Sequence, residues 1–310
     1  VTFEKSFEDI DFSSTGFIVV SKSGSTPETL AQFSSLYQIA LQRNYLDKFL
    51  SNTLVITEFK NSPLYKISKD KKCLLLEHDN KIGGRYSIFS NVGIVPAILS
   101  GINISELYNG AAEIYNNIEK YSALNLSKYL CMQENQKYSS NVLMTYSDNL
   151  YFFGKWYLQL WAESIGKNKK GITAIHSIGT TDQHSQLQLY LDGPKNKFFN
   201  LIGRKYSDDY KLLDCSFGSN QKVKILHKKS LESLLKCEMD ATLETLVKKK
   251  LPVRFIELEK VDEAVIGALM MYFFLETIFS CYLMNVDPFD QPAVEYGKKL
   301  TKEKLKEYEN

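Results

Sequence analysis

Seven short apolar runs lie at residues 17–20, 53–57, 73–76, 142–146, 172–178, 198–202 and 253–257, mostly separated by segments of helical periodicity. This alternation constrains the fold more than any other feature. Strands joined through helices run parallel, and a parallel sheet needs helices over both faces. The short β-α-β spacing of the first part fits right-handed crossovers. The pattern predicts an α/β fold of doubly wound parallel sheets. The first strand series stops near Gly101-Ile102-Asn103, and residues 104–136 read as a helix-rich connection to the second. Two domains are therefore expected, residues 1–103 and 104–310. The first holds only three strand candidates, so its sheet is expected to be incomplete, with earlier strands missing from this chain.

The bulk numbers narrow the function classes. At 310 residues, 44% hydrophobic and 24% charged, the composition is that of a globular protein long enough for two such domains. A net charge of +2 gives no electrostatic footprint for nucleic acid. The run Lys248-Lys249-Lys250 follows a helical stretch, where cations favour the dipole, and reads as a solvated end. Five cysteines, Cys73, Cys131, Cys215, Cys237 and Cys281, have no metal-ligand spacing. An odd count, mostly inside apolar runs, predicts reduced thiols, a cytoplasmic location and no metal centre. The opening residues are polar, unlike a signal peptide. Residues 264–286 are apolar enough to span a bilayer, with one charge at Glu276. They lack flanking basic clusters and are expected as a buried core or interface helix, not a membrane anchor.

The strand at 17–20 passes into a loop with hydroxyls at Ser21, Ser23, Ser25 and Thr26, and Lys22 among them. A helix follows, with Leu30, Phe33, Tyr37, Ala40 and Leu41 on its apolar side. The first N–H groups of a helix are unpaired and carry partial positive charge, so this loop suits an anion such as phosphate. Ser25-x-x-Glu28 has capping-box spacing, while Thr26-Pro27 offers an N-cap with proline at the first helical position. The start thus falls at Ser25 or Thr26. No nucleotide P-loop pattern is present.

Four further places gather polar residues. In Gly83-Gly84-Arg85-Tyr86-Ser87 two glycines admit close backbone approach, and Arg85 offers a fork of donors for an oxyanion. Gln159 and Glu163 are four apart and share a helix face, with Gly166 as the expected helix stop. Glu163 in that last turn meets the negative end of the dipole, which suits a base more than it suits stability. His184 lies in the loop after the strand at 172–178, where α/β proteins collect ligands. A proline turn after Gln291 leads into a closing helix, and Gln291 and Lys298, seven apart, can face the same side of the chain.

Together these segments resemble the glucose-6-phosphate isomerase family, from Gly16 to Lys298. The family's Gly-Gly-Arg-Tyr-Ser signature stands at residues 83–87, and its Phe-Asp-Gln-x-Gly/Ala-Val-Glu-x-x-Lys signature at 289–298. The phosphate loop also looks like the family's, and the spacings from Glu163 to His184 and on to Lys298 fit compact bacterial members. The resemblance implies two sugar-isomerase (SIS) domains and no cofactor. It implies that Ser21, Lys22, Ser23, Ser25 and Thr26 hold the sugar phosphate, with Gly84 beside them. Glu163 would shuttle a proton between C2 and C1, and Arg85 would stabilise the enediolate. His184 and Lys298 would act in ring opening, and Gln159 and Gln291 would position hydroxyls. Because the family's histidine comes from a neighbouring subunit, a homodimer is expected, acting on glucose 6-phosphate and fructose 6-phosphate. The family's upstream Gly-Gly-Ser loop has no match in residues 1–14, so the isolated chain is expected to be a poor isomerase. Two other readings stay open: a non-catalytic SIS module that binds or senses sugar phosphates, and an isomerase that also accepts mannose 6-phosphate.

Overall fold

A computed structural model of the chain describes residues 2–121, 138–206, 211–218 and 220–308. Residues 122–136 of the expected connection, and Cys131 with them, lie outside the described residues. The chain divides into two compact units, Val1–Ile104 and Ser105–Asn310.

The first unit carries β1 (Phe17–Val20), β2 (Thr53–Thr57) and β3 (Leu74–Glu77). They form one parallel sheet in the order β1-β2-β3. Its helices are α1 (Thr2–Lys5), α2 (Pro27–Gln42), α3 (Leu46–Ser51), α4 (Pro63–Asp70) and α5 (Asn91–Leu99). Strand β3 starts one residue later than expected because the Cys73 N–H is committed to Ser68 O at the end of α4, at 2.9 Å. The core is aromatic: Phe12, Phe17, Phe33 and Phe49 pack with ring centroids 4.9 to 6.0 Å apart. Such contacts add to the area term of burial. On α2 the buried residues are Phe33, Leu36 and Ala40, while Leu41 is exposed. The apolar stripe therefore runs through Leu36, not Leu41.

The second unit carries β4 (Ser140–Tyr146), β5 (Thr173–Ile178), β6 (Lys197–Arg204) and β7 (Val253–Leu258). The sheet order is β5-β4-β6-β7, all parallel, so the chain reverses its direction of travel after β5. This is a doubly wound arrangement, as expected from the alternation. Its helices are α6 (Ile104–Asn116), α7 (Tyr151–Ile165), α8 (Leu187–Asp192), α9 (Gln221–Lys224), α10 (Leu231–Lys248), α11 (Glu263–Leu283) and α12 (Glu295–Glu307). Alternate side chains of β4 face opposite ways. Val142, Met144 and Tyr146 pack with Met239 and Leu246 of α10. On the other face Asn141 meets Tyr157 of α7.

Helix α11 is, among the described residues, the one helix long and apolar enough to cross a membrane, and half of its most apolar window is buried within the chain. Phe273 of α11 packs on Phe153 and Tyr157 of α7, with centroids 5.5 and 4.9 Å away. Its Glu276 is fully buried and paired with Arg254 of β7, Nη1 to Oε2, at 2.5 Å. Arg254 Nε donates to Asn200 Oδ1 on β6, whose Nδ2 donates to Asn141 Oδ1 on β4. Asn141 Nδ2 in turn donates to Tyr157 OH. A polar chain thus crosses three strands and joins two helices inside an otherwise apolar layer.

Candidate active site

Strand β1 hands directly to the hydroxyl loop. Ser21 is buried, and Ser21 Oγ and Thr26 Oγ1 lie 2.8 Å apart. Ser21 Oγ also accepts from the Gly24 N–H at 3.1 Å, and Ser23 Oγ accepts from the Ser25 N–H at 3.2 Å. The Lys22 carbonyl accepts from the Glu58 N–H at 3.1 Å, which ties the loop to the end of β2. Gly24 has φ +63°, and a Cβ there would stand 2.1 Å from Ser62 Oγ, so the turn excludes every other residue. Helix α2 begins at Pro27 with Thr26 as N-cap and no side-chain capping bond. Of the two expected starts, the proline decides, because its fixed φ suits the first helical position. The Ser25 hydroxyl donates to Ser23 Oγ at 3.1 Å instead of closing a capping box with Glu28. The loop thus keeps half-buried Ser23, Ser25 and Thr26 at a helix N-terminus, an arrangement suited to a phosphate.

In the same unit Gly84 opens a 3₁₀ turn, Gly84–Phe89. Arg85 is buried, with its guanidinium carbon 5.3 Å from the Tyr86 ring centroid. Neither Gly83 nor Gly84 has positive φ. A Cβ on Gly84 would meet nothing within 4 Å. The turn and its packing therefore do not demand this glycine, which is exposed to solvent.

In the second unit α7 buries Leu150, just before it, with Phe153, Tyr157, Leu160 and Trp161, all expected from the sequence. Gln159 and Glu163 fall on the opposite side, and Gln159 Nε2 donates to Glu163 Oε1 at 3.1 Å. Helix α7 ends at Ile165 with Gly166 as C-cap, so Glu163 is in the last turn. A cleft of about 800 Å³ opens there, lined among others by Glu163, Lys167, Asp287, Asp290 and Gln291. The structure thus brings Glu163, Gln159 and Gln291 together.

His184 lies elsewhere in this unit, and Lys298 is not among the residues that line the cleft. Helix α7 runs from the end of β4 back to the start of β5, where Trp161 Nε1 donates to Ile172 O at 3.0 Å. Glu163 is therefore at the amino end of the sheet. His184 follows β5 at the carboxyl end, so the length of a six-residue strand, on the order of 16–20 Å, separates the two ends of the sheet. It is exposed at the end of a 3₁₀ turn, Thr181–Gln183. Beside it Asp182 is held below the usual carboxylate range, its burial outweighed by hydrogen bonds from Ser185 Oγ and the Ile178 N–H. Lys298 Nζ pairs with Glu295 Oε1 at 2.6 Å on solvent-exposed α12. Residues 292–294 form a 3₁₀ turn and the α-helix begins at Glu295, so Gln291 and Lys298 do not lie on one continuous helix.

Lys167 was not among the residues singled out from the sequence. Its side chain is 9% exposed, and its ammonium donates to Ser164 O at 2.9 Å and to Asp287 O, and pairs with Asp290 Oδ1 at 3.0 Å. The available signal was a lysine directly after a glycine helix stop, where orphan carbonyls need donors. Among the described residues no group of histidines, cysteines or carboxylates could hold a metal.

The sequence model of the phosphoglucose isomerase family matches residues 1–310. A protein of Methanococcus maripaludis named "Probable glucose-6-phosphate isomerase" is 35% identical over 304 residues, covering 96% of this chain and 67% of its own length. Glucose-6-phosphate isomerase of Campylobacter jejuni is also 35% identical, over 97% of this chain and 74% of the relative. Among solved structures, a hypothetical protein of Thermus thermophilus superposes with a TM-score of 0.89 at 30% identity, over 98% of this chain and 74% of that one. A glucose-6-phosphate isomerase of Chlamydia trachomatis shares the fold, with a TM-score of 0.73 at 20% identity over 99% of this chain and 62% of its own. A match along the whole chain, carried by relatives at this identity, means that the chain belongs to the phosphoglucose isomerase family of aldose–ketose isomerases.

Proposed function

We propose that this protein interconverts glucose 6-phosphate and fructose 6-phosphate by proton transfer through a cis-enediolate. The observation that carries the reading is the cleft lined by both Glu163 and Gln291, with Gln159 hydrogen-bonded to Glu163 beside it. Aldose–ketose exchange needs one base that takes a proton from C2 and returns it to C1. Glu163 fills that role. Gln159 donates to one of its carboxylate oxygens and so orients it. The enediolate oxygen needs a cation, and Arg85, buried next to exposed Gly84, supplies it. Phosphate is remote from the reacting carbons, so its binding to Ser21, Lys22, Ser23, Ser25 and Thr26 can be spent on orientation. Gln291 positions hydroxyls, and Lys298 assists ring opening with His184.

Glu163 and His184 lie at opposite ends of one sheet, so a single second unit cannot apply both to one sugar. The reading therefore includes a homodimer in which each site takes its histidine from the other copy, in a cytoplasmic enzyme. The test is complementation. Glu163→Gln and His184→Ala enzymes are each expected to be nearly inactive in a coupled assay for glucose 6-phosphate formation. Mixed dimers hold one site with both residues intact and should recover up to about half the parental activity per such dimer, on the additivity of separate sites. Mixed dimers that stay inactive would refute the shared site, and a parental enzyme without isomerase activity would refute the function.

A further inference from the structure

We infer that Lys167 is a positioning residue for this reaction: its ammonium pins the loop carrying Gln291 to the helix end carrying Glu163. The inference rests on the isomerase reading and adds a residue to it. An ammonium has three donors and no acceptor. All three of Lys167 are engaged, by Ser164 O at 2.9 Å, by Asp287 O, and by Asp290 Oδ1 at 3.0 Å. Ser164 is the residue after Glu163, and its carbonyl lies in the last turn of α7, beyond the reach of helical N–H donors. Asp287 and Asp290 stand on the loop that ends in Gln291. One cation therefore joins the two sides of the cleft.

The loop is braced from within as well. Asp287 Oδ1 accepts from the Phe289 N–H at 2.7 Å, a local turn that sets the direction of residues 287–289. Lys170 Nζ donates to Met284 O at 2.7 Å, at the end of α11. Two lysines of the short 166–171 connection thus cap two helix ends, and only Lys167 reaches the Gln291 loop. Asp290 is half exposed, whereas the Lys167 side chain is 9% exposed. Without the ammonium, the donor that Ser164 O and Asp287 O share is gone, and the loop moves away. Misplacement of about 1 Å can cost roughly a hundredfold in rate.

The test is a kinetic double-mutant cycle in the native enzyme. Lys167→Met keeps the stem and removes the ammonium. In fructose 6-phosphate turnover its kcat should fall by about a hundredfold, with KM changed by less than about threefold, because the phosphate grip lies in the other unit. In a Gln291→Ala background the same substitution should cost less than about fivefold, since the loop no longer has its hydroxyl contact to place. A merely structural lysine would cost the same in both backgrounds. Asp290→Asn, a change on a half-exposed side chain, should show a smaller loss with the same dependence on Gln291, even where Lys167→Met fails to fold. An active enzyme in which Lys167→Met stays within about threefold of the parent, or loses equally in both backgrounds, would overturn the inference alone. A parent enzyme with no isomerase activity would overturn the reading beneath it.

Discussion

Arg254→Met breaks the polar chain at its centre, and the structure sets how much that costs. Glu276 is fully buried on an apolar helix, and its cationic partner is Arg254 Nη1 at 2.5 Å. The same nitrogen donates to Tyr272 OH at 2.7 Å, and Nε donates to Asn200 Oδ1 at 2.8 Å. Methionine fills much of the stem volume but leaves the carboxylate without a cation in low dielectric. Breaking such a pair costs about 3–5 kcal/mol, most of it from the stranded charge. With a urea m-value of about 2–3 kcal/mol/M, a loss of about 4 kcal/mol lowers the midpoint by roughly 1.5–2 M. Adding Glu276→Leu removes the stranded charge. The double variant should return to within about 1–2 kcal/mol of the parent, the residue being the orphaned Asn200 oxygen. Urea unfolding followed by tryptophan fluorescence reads both, since Trp161 is buried on α7. Equal midpoints for the single and double variants would refute the reasoning, because the cost would then be lost packing.

Three further outcomes follow from other parts of the molecule. Gly24→Ala should destabilise the first unit by about 1–3 kcal/mol and raise KM more than it lowers kcat, because φ +63° and the Ser62 contact leave no room for a methyl group; thermal unfolding with steady-state kinetics checks it. His176 has its pKa lowered by burial and by Lys155, so below about pH 6.5 the unfolded chain takes up a proton that the folded chain refuses. Stability should fall as pH drops through that range, and His176→Gln should flatten this part of the Tm-versus-pH curve. Gln159→Leu should lower kcat by about tenfold or more with the fold intact, because Glu163 loses the donor that fixes its orientation; steady-state turnover beside a thermal melt separates the two effects.

All seven strands were legible because each centres on apolar residues between helical segments. Their ends were less so. Strand β4 begins at Ser140, two residues before its apolar run, because Ser140 and Asn141 pair with Lys197 and Phe198 regardless of polarity. Glu163 and Gln159 could be placed on one face from spacing alone, since both lie on one continuous helix. Spacing could not do the same for Gln291 and Lys298, because a 3₁₀ turn changes the period between them. The Arg254–Glu276 pair left one sequence sign, a carboxylate inside an apolar helix. Its cation stands on a different strand, and only the β6–β7 register, Asn200 beside Arg254, brings the polar chain together. Lys167 was hidden for a similar reason, because two of its acceptors are more than a hundred residues away in sequence.

The assignment of Glu163 as the base is tested most directly by solvent isotope. Fructose 6-phosphate incubated with the native enzyme in D2O should yield glucose 6-phosphate labelled at C2. Glu163→Gln keeps the shape and most of the binding but has no oxygen able to accept the C1 proton. Its exchange rate should fall by about 10² to 10⁴, with substrate affinity little changed. A Glu163→Gln enzyme that labels C2 at near the parental rate would contradict the account, since the proton would then travel through another residue.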